Sequence, residues 1–135
     1  MLIRPLLAAT LLVLLPLGPA VTASAQELDA KWLVGKWWGI GRTNVAQADY
    51  EVEFKEDGTL EGGSKSPYGI TYYREGRWKI DSATILVEFV IDSPRSPVHG
   101  RKGSWTLNRE GEELRGDGGR VPGAGSINIT LRRAK

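Results

Sequence analysis

Gly-x-Trp occurs three times in this chain, each time opening a strand-like run: Gly35-Lys36-Trp37, Gly76-Arg77-Trp78 and Gly103-Ser104-Trp105. Glycine lets a backbone bend or bulge where a strand begins. A tryptophan two residues on projects from the same strand face. Three such starts predict a single sheet that keeps reversing and closes on itself, with a large indole at each reversal.

Between these starts the apolar period is two. Tyr50, Val52 and Phe54 alternate with Glu51, Glu53 and Lys55, and Trp78 and Ile80 alternate with Arg77 and Lys79. Ile85, Val87, Phe89 and Ile91 share one face, as do Trp105 and Leu107, and Ile127, Ile129 and Leu131. This is the pattern of antiparallel strands with one buried and one wet face. Asp57-Gly58, Asp81-Ser82-Ala83 and Arg109-Glu110-Gly111 read as tight connections. Eight strands are predicted, over 36–43, 48–55, 58–64, 69–79, 83–91, 101–108, 111–117 and 125–133, after a short helical turn within 28–34. The expected fold is all-β: an eight-stranded antiparallel up-and-down (meander) barrel. The Pro- and Gly-rich stretches 92–100 and 118–124 would be rim loops. An outer-membrane barrel fits less well, because Glu51, Glu53, Lys55, Arg77, Lys79 and Arg132 would face lipid.

Residues 1–25 have a different character. They hold one cation (Arg4), no acid, an apolar stretch from Leu6 to Leu17 and the small-x-small triplet Ala23-Ser24-Ala25. This is the layout of a secretory signal peptide, so the expected domain is 26–135, periplasmic or secreted, with no integral membrane insertion after cleavage. The sequence has no cysteine, which excludes disulfides, thiolate metal sites and cysteine nucleophiles. Lysine and arginine total 18 against 16 acids, interspersed along the chain, so no concentrated basic face for nucleic acid is expected.

The segment Leu33-Val34-Gly35-Lys36-Trp37-Trp38-Gly39 resembles the first-strand signature of the calycin group, which includes the lipocalins and fatty-acid-binding proteins. The resemblance implies a short helical turn leading into Gly-x-Trp, and an arginine on the last strand packing over that tryptophan at the closed base. Carried onto this chain, the pair is Trp37 and Arg133. The chain is similar to short lipocalin-like domains of exported bacterial proteins, with neither the disulfide nor the long first loop common in lipocalins. Gly35-Lys-Trp37-Trp-Gly39-Ile-Gly41 also resembles the opening of nitrobindin-type haem barrels, which use a histidine near the end of the chain. The single histidine here, His99, lies in a rim loop, so no cofactor is expected.

Catalysis has no constellation to rest on. There is one histidine, no Gly-x-Ser-x-Gly elbow and no histidine pair for a metal, and the pairs Glu51/Glu53 and Glu112/Glu113 read as surface charges. Two functions of different class remain. One is an exported carrier of a small hydrophobic or aromatic ligand inside the barrel, lined by Tyr50, Tyr72, Trp78, Phe89 and Trp105. In that reading Arg74, sharing the parity of Ile70 and Tyr72, points into the mouth to meet a polar end. The other is a filled barrel that meets an envelope protein partner through its rim loop, with Arg95, His99, Arg101 and Lys102 as contacts.

Overall fold

Asp29 ends an extended approach and caps the first turn of helix: its carboxylate accepts the Lys31 N–H at 2.9 Å, starting α1 (Ala30–Leu33). The computed structural model describes residues 28–121 and 125–134, so the leader expected over 1–25 lies outside the described residues. After α1 come β1 (Gly35–Arg42), β2 (Gln47–Phe54), β3 (Thr59–Ser66), β4 (Gly69–Asp81), β5 (Thr84–Asp92), β6 (Lys102–Glu110), β7 (Glu113–Val121) and β8 (Gly125–Arg133). Each strand pairs antiparallel with the next, and β1 pairs with β8, so the sheet closes into an eight-stranded up-and-down barrel. Closure gives each described strand a neighbour on both sides.

The two-residue alternation becomes an inside and an outside. Tyr50, Val52, Phe54, Ile85, Val87, Phe89, Trp105, Leu107, Ile129 and Leu131 are buried, while Glu51, Arg77, Lys79, Glu88 and Arg132 are exposed. Burying each large apolar side chain contributes about 1.5–3 kcal/mol.

One end of the barrel is plugged. Leu33 of α1 is buried there, and Trp37 Nε1 donates to the Leu33 carbonyl at 2.8 Å. The Arg133 guanidinium carbon lies 4.3 Å from the Trp37 ring centroid, and its nitrogens donate to the carbonyls of Val34 and Trp32. Arg109 covers the Trp32 ring at 3.8 Å, and Trp32 meets Trp37 edge-on at 5.2 Å. The helical turn is therefore fastened across the base by two stacked cations.

A bulge in β4 changes which residues face inward. From Arg74 to Arg77, β4 advances three residues while β5 advances two, from Val90 to Glu88. Against β3, β4 again carries the extra residue between Tyr72 and Gly76. Glu75 takes it up in a left-handed backbone conformation, φ 54°. Counting by twos back from Trp78 therefore gives the wrong face beyond the bulge. Tyr73 is the buried residue, at 9 % exposure, and the inward placement expected of Tyr72 and Arg74 is corrected: Tyr72 is 58 % exposed and Arg74 is also on the outside. The same bulge shows that Gly76-Arg77-Trp78 does not start a strand; it continues a strand of 13 residues.

Candidate functional site

Four rings meet inside the barrel. Tyr50 stacks on Trp105 with centroids 5.4 Å apart and planes 23° apart. Tyr73 contacts Phe89 at 4.2 Å and Trp105 at 5.4 Å, and Phe89 contacts Trp105 at 5.3 Å. The neighbouring strands are trimmed to let these rings in. A Cβ placed on Gly41 would sit 2.7 Å from the Tyr50 ring, and one on Gly103 would sit 2.5 Å from the Phe89 ring. At this level the interior is occupied by the chain's own aromatic side chains. The Tyr50 and Tyr73 rings meet edge-on, with centroids 6.4 Å apart. Burial raises the pKa of both Tyr50 and Tyr73 above that of an ordinary phenol.

Of the residues expected to line an internal pocket, Tyr50, Phe89 and Trp105 come together. Trp78 does not join them. It packs edge-on against Phe54 at 6.1 Å, and its Nε1 donates to the Lys55 carbonyl at 2.9 Å, pinning the β2–β3 hairpin. Val87 separates Trp78 from Trp105 in the sheet register. Arg74 lies outside, with its Nε 3.6 Å from the Asp92 carboxylate.

The outer face of β1–β4 carries a solvent-open trough of about 890 Å³. Its outward-facing residues stand in two rows set by strand register. Trp38, Glu51, Gly63 and Tyr72 are successive cross-strand neighbours, and so are Asp49, Lys65 and Ile70. Gly62 and Gly63 leave the middle of the floor as bare backbone between the aromatic walls. Trp38, Ile70 and Tyr72 are 48 %, 52 % and 58 % exposed. Asp49, Glu51 and Lys65 make no ion pair among the described residues. The trough thus combines exposed apolar surface with free hydrogen-bonding groups of both signs.

The rim loop between β5 and β6 is braced. His99 Nδ1 accepts the Ser93 N–H at 3.0 Å, and Gly100 N–H donates to the Ile91 carbonyl at 2.8 Å. Arg95, His99, Arg101 and Lys102 are exposed on it. Among the described residues no group of three or more His, Asp or Glu side chains could hold a metal ion.

This geometry defines a class, a small closed up-and-down β-barrel with a ring-filled interior and an aromatic outer trough. Comparison with protein-family models, with curated proteins and with solved structures gave no match.

Sequence reasoning did not single out the trough. Trp38 had a signal, since a tryptophan at an outward position of a strand is a large apolar surface without a core to enter. Tyr72 had none, because the bulge that turns it outward depends on one residue of register.

Proposed function

We propose that the protein is an extracytoplasmic, lipocalin-like binding module that engages its partner from outside the barrel and catalyses no reaction. The observation that carries this reading is the pairing of an interior occupied by Tyr50, Tyr73, Phe89 and Trp105 with an exterior that leaves Trp38 and Tyr72 exposed. A hydrophobic ligand inside would have to displace rings already in mutual contact. On the outer face the same aromatic chemistry is presented to solvent beside unpaired polar groups, as binding surfaces are. The test is co-sedimentation with insoluble cell-envelope material. Wild-type protein is retained and the Trp38→Ala, Tyr72→Ala double variant is not. Retention untouched by that double variant contradicts the reading.

A second surface is favoured by one observation. The braced loop holds Arg95, Arg101 and Lys102 without an ion-pair partner among the described residues. If the loop is the contact, neutralising these three cations abolishes retention and the trough variants leave it unchanged.

A further inference from the structure

We infer that the trough on β1–β4 binds an uncharged glycan chain, laid across the strands between Trp38 and Tyr72. This deepens the outer-face reading and rests on it.

The chemistry of the trough narrows its occupant. Trp38 and Tyr72 are three strands apart in one register row. At about 4.8 Å per strand their backbones are about 14 Å apart, enough for a chain of rings rather than a single small group. Between and beside them stand two free carboxylates, Asp49 and Glu51, and one free ammonium, Lys65. A purely apolar ligand would strip water from all three charges and return no hydrogen bond. An anion would face the carboxylates, and a cation would face Lys65. A protein partner would place unpaired charges at the centre of its interface, where charged residues are depleted.

An uncharged sugar chain satisfies every group. Its hydroxyls donate to the carboxylates of Asp49 and Glu51 and accept from the Lys65 ammonium, in charge-assisted hydrogen bonds. The C–H faces of its rings pack on the indole of Trp38 and the phenol of Tyr72, which offer rigid, amphipathic surface. The bare floor at Gly62 and Gly63 lets the chain approach the sheet. Ile70 continues the apolar wall beyond Tyr72, one row along the strand.

The experiment uses full-length mature protein and envelope material divided into three portions: untreated, proteinase-digested, and lipid-extracted. Retention is expected on all three. Competition is expected from at least one of cellohexaose, chitohexaose and laminarihexaose, followed by titration calorimetry. Trp38→Ala and Tyr72→Ala should each weaken the competing saccharide about tenfold. Lys79→Ala, exposed on the outer face away from the trough, serves as the surface control. Loss of retention after proteinase digestion or lipid extraction overturns the glycan inference. Absence of competition by all three saccharides overturns it as well, and displacement by spermidine then assigns the trough to a cationic ligand. In either case, retention that still depends on Trp38 and Tyr72 leaves the outer-face reading standing. Retention that ignores both residues removes the two together.

Discussion

Gly41 and Tyr50 leave each other no slack: a Cβ on Gly41 would lie 2.7 Å from Cζ of the Tyr50 ring. Gly41→Ala is therefore an overpacking substitution, with an expected cost of about 1–3 kcal/mol in urea unfolding. Shortening the opposing side chain in the double variant Gly41→Ala, Tyr50→Leu should give a positive coupling that recovers part of this loss. A Gly41→Ala variant as stable as wild type would mean the interior has room to spare, against the filled barrel.

Arg133 stacks on Trp37 and donates to the carbonyls of Trp32 and Val34. Lysine keeps the charge but has neither the planar face nor the fork of donors. Arg133→Lys is expected to lose about 1–3 kcal/mol and to alter the near-ultraviolet dichroism of the tryptophans. Unchanged stability and an unchanged spectrum would show that α1 is held by its apolar contacts alone.

Burial sets the alkaline limit of the fold. Tyr50 and Tyr73 have pKa values raised above 10.0, chiefly because their charged forms would be desolvated. The unfolded chain ionises these phenols near pH 10, below the folded values. Their contribution to stability is therefore complete below about pH 10 and is lost as the pH rises toward the folded pKa values. Tyrosinate absorbance should show a late component that appears only with unfolding. Tyr50→Phe together with Tyr73→Phe should remove it, and a late component that persists in that variant would contradict the assignment.

Glu75 tests the bulge. Its left-handed backbone, φ 54°, suits glycine, so Glu75→Gly should be close to neutral or stabilising. Deleting Glu75 removes the extra residue and slips the register by one, which would exchange the faces of Tyr72 and Tyr73. The deletion is expected to abolish the cooperative unfolding transition. A deletion variant that folds with Tyr73 still buried would show that the bulge does not set the faces.

Much of the architecture could be read from the residues alone. Alternation at Tyr50-Val52-Phe54 and Ile85-Val87-Phe89 placed those side chains inside, and the eight expected strands fall within a few residues of the observed ones. Periodicity carries this information because each strand there runs without interruption. It failed in β4, where one added residue inverts every assignment on the far side. The surface site was harder still. Trp38, Glu51, Gly63 and Tyr72 are spread over four strands, and only pairing register brings them into one row. The internal pocket expected from Tyr50, Phe89 and Trp105 had the right residues together, but composition could not show that Gly41 and Gly103 are cut back so those rings fill the space.

A filled interior and a working outer face can be read together from the indole N–H signals of the five tryptophans in a two-dimensional NMR spectrum. The protein is titrated in parallel with myristate, as an apolar probe, and with a solubilised, protein-free polysaccharide fraction of the cell envelope. The polysaccharide is expected to shift the Trp38 signal, while Trp105 stays fixed with both probes. A saturable shift of the Trp105 signal with myristate, and none at Trp38 with the polysaccharide, would contradict both expectations.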